Sequence, residues 1–583
     1  MMLLCTIIYC LTAALPKHGD FWILNYKAKA FSLYGFDFTG QVPVYYPSAF
    51  YILQGTWIAL GSQIFGYDLH SWTTNFSLVP AFFQVWCTIP FLICLLLIVA
   101  ISYFGLKNKW LALLAFGTLS FVSVAVMGQL EVFCVVFMLL SMIVFLKAIN
   151  EKDELLALLS ILLLGLSVSY VPFAAFLLPV YLIFSILILR IKKYDLLKTS
   201  GYLILSIFLF IISFIVLWLI HPASLLQMST NGEPGWLINL QLGPVDLPPY
   251  HVLSIWLLGY IVILYDSFYN LIYYPEKMLN DRRYFIYYSF VTYAWFFIAV
   301  FTHPQWWLIL LPLILLVLDN FRNRLNYLFA FALMSLFIFL PMMWTNNIDT
   351  VLQYYLPTFD ITANYAIVLS TLIVSVLVVW ALHVRRELRD DVPSDAAGER
   401  PLADMVYPIL ITFAPYAICF FVGLAAVATI GCASIDFADN STAVPGGEIY
   451  GNTTISQAFT SLYDHLNSVD VLMQGNGRAS SDEVLFHLKE SPTSGDIAVV
   501  SANAGDIQNN KYHSFKFQQI PDSKGKTYYF SIESTRQEPG NAVAVFVNAW
   551  GDHQGDIVFR LHYKPGLQET LSFIGNKYPI VSL

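Results

Sequence analysis

From Val79 to Leu106 the chain runs without a single Asp, Glu, Lys or Arg. Crossing the hydrocarbon core of a bilayer takes about 20 residues of helix, so such a stretch is a candidate span. The feature recurs. Apolar runs lie at 1–15, 79–106, 110–127, 130–147, 154–168, 172–190, 200–220, 251–267, 284–301, 305–319, 326–344, 364–383 and 406–431. They predict a polytopic α-helical membrane protein with about thirteen transmembrane helices. Proline steps at Ser169-Tyr170-Val171-Pro172 and Thr302-His303-Pro304 divide two of the longer blocks, because proline removes a helical hydrogen bond and clashes with the preceding turn. Charged residues make up only 12% of the chain, about half the share usual in soluble domains. A cytosolic enzyme, a nucleic-acid binder and a disordered scaffold are thereby excluded. The seven cysteines lie in or at the ends of apolar runs and read as small hydrophobes.

Position gives the few charges their meaning. The connections at 107–109, 147–152, 190–198, 277–283, 322–324 and 385–400 hold 17 basic residues. Before residue 432 the opposite connections hold only Lys17, Lys27 and Lys29. By the positive-inside rule the first set is cytoplasmic. The N-terminus is then cytoplasmic, residues 16–78 form the first outer loop, and residues 433–583 lie outside. Segment 48–65 is apolar, but Gln54, Gly55, Gly61 and Gln63 interrupt it. It reads as a helix at the outer interface rather than a span. Two domains follow: a transmembrane domain over 1–432 and an extracytoplasmic domain over 433–583.

The tail differs in composition. It has 10 basic and 16 acidic residues and short alternating stretches at 495–501, 512–518, 527–533, 542–549 and 556–563. Period-two alternation between turn residues predicts an antiparallel β-sandwich, jelly-roll-like in outline, with one short helix over 455–467. Tyr528, Tyr529 and Trp550 are candidate glycan-stacking faces, although packing in the sandwich core is the favoured role.

Polar residues near membrane depth invite a functional reading. On the outer side these are Lys17-His18-Gly19-Asp20, Gly128-Gln129-Leu130-Glu131, His221-Pro222 and His303-Pro304-Gln305-Trp306-Trp307. Each also has an ordinary role: an acid caps or begins a helix, and a residue before proline ends one.

Their order along the chain resembles that of the GT-C superfamily of polytopic glycosyltransferases. The resemblance rests on His18-Gly19-Asp20 straight after the first span, the Tyr45-Tyr46-Pro47 step before helix 48–65, and Gly128-Gln129-Leu130-Glu131. Further elements are the break before Pro172 and the outer turn at His303-Pro304 leading to Leu311-Pro312. It covers residues 1–320, reaches 321–432 only through span count, and does not include the tail. Glu131 stands where Asp is frequent in the superfamily.

The resemblance implies transfer of a hexosyl or pentosyl group from a polyprenyl-phosphate donor to an acceptor hydroxyl of a glycan, glycolipid or protein, as in assembly of a cell-envelope glycan at the plasma membrane. Asp20 would be the general base of an inverting reaction. Lys17, His18, Gln129, Glu131, His221, His303 and Gln305 would bind substrate, with His303 and Lys17 foremost at the leaving phosphate. Asp20 and Glu131 are also candidate ligands for a divalent cation, Mg or Mn. A nucleotide-sugar donor would need a cytoplasmic domain that the charged loop 383–405 does not supply. The competing expectations are a transporter or flippase for lipid-linked glycans and a glycan polymerase or ligase.

Overall fold

In the computed structural model, the residues described are 19–35, 48–72, 79–117, 129–219, 244–247, 251–299, 304–321, 323–343, 363–390, 401–430, 433–436, 443–475, 482–540, 542–548 and 555–564. The first predicted span lies outside them. The chain divides into two units, one holding the helices up to Cys419 and the other holding Phe420–Leu583.

The helical unit begins with α1 (Gly19–Tyr34), α2 (Ser48–Phe65) and α3 (Ala81–Gly105). Helix α2 is unbroken, and Gln54, Gly55 and Gly61, three of the residues that interrupt its apolar run, are the ones that seat it. A Cβ on Gly55 would stand 2.5 Å from the Ala28 carbonyl oxygen, so glycine lets α1 come close. At Gly61 a Cβ would stand 2.2 Å from the Trp86 ring. Trp57 and Trp86 stack at 4.3 Å, and each indole N–H donates to the other residue's carbonyl at 2.9 Å.

Next come α4 (Leu111–Phe116), α5 (Glu131–Glu151), α6 (Glu154–Val168), α7 (Leu178–Ile191) and α8 (Leu196–Leu219). Lys152 ends α5 in the left-handed region at φ 54°, and the Asp153 carboxylate accepts from Leu155 N at 2.8 Å to start α6. That cap folds α5 and α6 into a tight hairpin. The Ser141 hydroxyl on α5 donates to the Ser160 carbonyl and lies 3.0 Å from the Tyr181 hydroxyl, tying in α7. As the proline step predicts, α6 ends before Pro172, and a 3-10 segment, Pro172–Leu177, leads into α7.

A short hairpin of β1 (Pro244–Leu247) and β2 (His251–Ser254) precedes α9 (Ile255–Tyr273), α10 (Pro275–Asn280) and α11 (Arg283–Ala299). A 3-10 segment, Pro304–Leu310, then opens α12 (Leu311–Asn320). All ten residues of α12 are buried, as expected of a helix whose first eight residues are apolar. The last three are α13 (Arg324–Met343), α14 (Ala363–Arg389) and α15 (Pro401–Ile430). Trp380 donates to Asn326 Oδ1 at 2.8 Å, and Asn326 donates to Glu387 at 3.0 Å, locking α14 on α13. Helix α14 runs on to Arg389, past the predicted end at 383, so its arginines are helical rather than part of a loop.

Among the described residues four helices are long and apolar enough to cross a membrane: Phe82–Gly105, Glu131–Glu151, Pro172–Ile191 and Leu196–Ser213. Shorter apolar helices run over Glu154–Val168, Trp306–Asn320, Arg324–Phe337 and Leu402–Ile418. This is a membrane protein by the length and composition of its helices.

The second unit is an antiparallel sandwich. Strands β5 (Ile455–Thr460), β10 (Thr527–Ser534), β7 (Glu483–Lys489) and β8 (Asp496–Asn503) form one sheet in that order. The other follows the order β3 (Ala433–Asp436), β12 (Phe559–Tyr563), β6 (Leu466–Gln474), β11 (Ala544–Asn548) and β4 (Ala443–Glu448), with β9 (Lys511–Ile520) also on β6. Rings from the two sheets share one core: Phe530 meets Phe559 at 5.2 Å, and Phe486 stacks on Phe515 at 4.8 Å. Two expectations change here. The helix expected over 455–467 is instead β5 and the start of β6, because each has a partner strand, β10 and β9. Tyr528 is a core residue, 1% exposed, and not a glycan-stacking face. Tyr529 is half-buried, and Trp550 lies outside the described residues.

On β6 the residues alternate. Val469, Val471 and Met473 enter the core, while Asp470 faces Ser514 on β9 and Arg560 and His562 on β12. His562 Nε2 lies 2.7 Å from the Asp470 carboxylate. Burial works against ionising Asp470. The hydrogen bond and charge of His562, with Ser514 and Arg560, more than offset it and hold the carboxyl below its ordinary value of 3.8.

Two predictions follow from this packing. Gly61→Ala forces its methyl into a tryptophan that is stacked and hydrogen-bonded, so thermal stability should fall by about 1–3 kcal/mol. An unchanged melt would show that the Trp57–Trp86 pair yields. Because the folded Asp470 pKa is depressed, its stabilisation is complete above pH 3.8 and is lost as pH falls through the lower folded value. Protection factors for hydrogen exchange at β6 and β12 in the full chain, corrected for the intrinsic pH dependence of amide exchange, should therefore fall on acidification, and Asp470→Asn should flatten that acid dependence.

Candidate functional site

The expected site residues fall unevenly. Lys17, His18, His221 and His303 lie outside the described residues. Asp20 is the second residue of α1 and Gln305 lies in the 3-10 segment before α12; their side chains are also outside what is described. Gln129 and Glu131 are described, and both are buried, at 1% and 0% exposed. Glu131 opens α5, where a carboxylate meets the positive end of the helix dipole.

Aromatic packing shows which of these elements meet. Phe21, next to Asp20, lies 5.5 Å from Phe91 of α3. Phe91 lies 5.3 Å from Phe133, two residues after Glu131, and Phe50 of α2 touches both rings at 5.9 and 5.6 Å. Phe133 then stacks on Tyr170 at the break before Pro172, with centroids 5.4 Å apart. Beyond the break, Phe173 meets Trp306, next to Gln305, at 4.7 Å. Phe21, Phe50, Phe133, Phe173 and Trp306 each sit one to three residues from a motif position, Tyr170 lies within the break itself, and Phe91 of α3 bridges three of them. The starts of α1 and α5, the 169–172 break and the 304–310 turn therefore converge on one end of the bundle.

A buried polar network lies beside this cluster, and little in the sequence points to it. Asn25 of α1 and Gln54 of α2 are both fully buried. Gln54 Nε2 donates to Asn25 Oδ1 at 2.7 Å and to the Cys87 carbonyl of α3 at 2.9 Å, while Asn25 Nδ2 donates to the Phe21 carbonyl at 2.8 Å. The only hint in the sequence is that Asn25 and Gln54 are amides within apolar surroundings.

Two loop lysines are buried rather than solvated, Lys27 at 6% and Lys29 at 7% exposed. Lys29 Nζ donates to the Trp72 carbonyl at 2.6 Å and sits 4.5 Å from the centre of the Tyr26 ring. Burial lowers the Lys29 pKa, and the negative charge of Asp68 opposes that shift. This lysine anchors the loop after α2 to α1. Among the described residues no group of three or more His, Cys, Asp or Glu side chains could hold a metal ion. The cation expectation also concerns Asp20, whose side chain is outside them.

Comparison with known proteins gives little more. No family model matches the chain. No curated protein matches it either. Among solved structures it is similar to the cryo-EM structure of arabinosyltransferase EmbB from Mycobacterium smegmatis, at 12% identity and a TM-score of 0.34. That match covers 96% of this chain and 66% of the other, so the chain spans just under two thirds of that protein's length. A likeness at this level carries neither the fold nor the activity across.

Phe91 meets rings from α1, α2 and α5, so Phe91→Ala should cost about 3–5 kcal/mol. A thermal melt of the purified full-length protein reads that loss, and an unchanged melt would show that the cluster is not what holds these helices together.

Proposed function

We propose that this chain is an integral-membrane glycosyltransferase. It moves a sugar from a polyprenyl-phosphate donor to an acceptor hydroxyl on the outer side of the plasma membrane. The proposal includes the topology read from the charges, with a cytoplasmic N-terminus and the β-sandwich outside. The observation that supports it most is the run of rings from Phe21 through Phe91 and Phe133 to Tyr170. It gathers elements that are scattered in sequence but carry the motif residues of the GT-C resemblance.

In the proposed reaction the Asp20 carboxylate accepts the proton of the acceptor hydroxyl as that oxygen attacks the anomeric carbon. The lipid phosphate leaves from the opposite face, so the configuration inverts. A carboxylate at a partly desolvated membrane surface suits a base that must release its proton again. Charge building on the leaving phosphate calls for donors or cations, which are assigned to His303 and Lys17. His18, His221 and Gln305 complete the outer rim in this reading. Gln129 and Glu131, buried at the start of α5, position the sugar or the base. This chemistry closes without a metal. Mg or Mn held by Asp20 and Glu131 would add charge neutralisation at the phosphate.

Asp20→Asn keeps the side-chain shape and removes the base. Transfer by purified protein supplied with polyprenyl-phosphate sugars should fall by about 10²–10⁴-fold, with folding unchanged. Near-normal transfer would remove Asp20 from the reaction. A reporter inserted near residue 40 that appears on the cytoplasmic side would overturn the outer site.

A further inference from the structure

Near the junction of α9, α10, α11 and α14, an open cavity of about 480 Å3 is lined by four cations, Lys277, Arg385, Arg386 and Arg389. Asp266 is the one carboxylate in its lining, leaving a surplus of three positive charges. Asp266 is also engaged already. It accepts from the Tyr288 hydroxyl at 2.9 Å, Asn270 donates to that same hydroxyl at 2.9 Å, and Arg385 approaches at 3.4 Å. Arg386 and Arg389 reach Asp390 at 3.4 Å, but their side chains are 74% and 78% exposed. Such solvated pairs hold an arginine only weakly. Arginines at the end of α14 also suit the negative end of the helix dipole. That role alone accounts neither for the cavity nor for the polar floor of Asp266, Asn270 and Tyr288 contributed by other helices.

The surface around the cavity identifies the anion. Leu257, Leu258, Ile261 and Val262 on α9 are all 47–57% exposed, an apolar strip facing outward. Further along the same helix Tyr265, Tyr269 and Tyr273 form an exposed ladder, with ring centroids 6.4 and 4.4 Å apart. On α14 the apolar Leu382, 61% exposed, itself lines the cavity just before the arginines. Apolar surface, then tyrosines, then cations is the sequence met on passing from the acyl region of a bilayer to its headgroups. A small soluble phosphate would make no use of the apolar strip.

We propose that this cavity binds the phosphate headgroup of an anionic membrane phospholipid, with the acyl chains lying along the exposed face of α9. The site is separate from the proposed transfer chemistry and does not rest on it. The test is native mass spectrometry of the full-length protein in detergent, titrated with phosphatidylglycerol, phosphatidylcholine or inorganic phosphate. Phosphatidylglycerol should bind about tenfold more tightly than phosphatidylcholine, and Arg386→Gln with Arg389→Gln, at roughly fivefold per charge removed, should abolish that preference. Inorganic phosphate should not compete at millimolar concentration. Equal binding of the two lipids overturns the proposal, as does a double variant that is folded by circular dichroism and keeps the preference. Displacement of phosphatidylglycerol by inorganic phosphate assigns the cavity to a soluble phosphate and overturns the lipid reading. The wild-type comparison stands even if the double variant does not fold.

Discussion

Closely packed aromatic rings, some edge to face and some stacked, hold the helical unit together. Lipid tails are as apolar as leucine, so helices in a membrane gain little from merely hiding hydrophobic surface from water. Close fit and buried hydrogen bonds must do the work. Phe91 meets three rings from three other helices, and the Trp57–Trp86 pair adds a stack fastened by two reciprocal hydrogen bonds. Gly55 and Gly61 make that closeness possible by having no side chain to interpose. Buried amides serve the same end, since Gln54 joins α1, α2 and α3 through one donor group.

Much of the secondary structure was legible in the sequence because uncharged length is a strong signal. The break before Pro172 and the strands of the tail were legible for equally local reasons, a missing donor and a period of two. Residues whose meaning depends on distant partners were harder to read. Gln54 counts in the sequence against a membrane span and says nothing of its neighbours; it is fully buried because it bonds partners 29 and 33 residues away. Segment 455–467 looked helical because its pairing strands, β10 and β9, come much later. The arginines ending α14 are solvated, as the sequence suggests, but they are helical, and sequence does not show that Asp266 and Tyr288 stand near them.

The candidate site was legible as an order of motifs and not as a geometry. Phe21, Phe133, Tyr170 and Trp306 drew attention only as neighbours of polar residues. The structure gives these rings the role of joining the elements that carry those residues. The positions of the rings thus relate the motif-bearing elements to one another, while the chemistry assigned to Asp20 rests on the resemblance and on its proposed test.

The pairing of β6 sets a condition on how the second unit forms. This strand, at residues 466–474, is bonded to β9, β11 and β12, the last of which ends at Tyr563. Its register with β12 joins residues about 90 positions apart, and contacts that distant in sequence slow folding because a long loop must close first. During synthesis the earlier strands emerge before the one that completes the central sheet. Until then, one edge of β6 stays open to pairing with another chain. Assembly of this unit is therefore a late event in the life of the polypeptide, sensitive to crowding and to anything that shields the waiting edge.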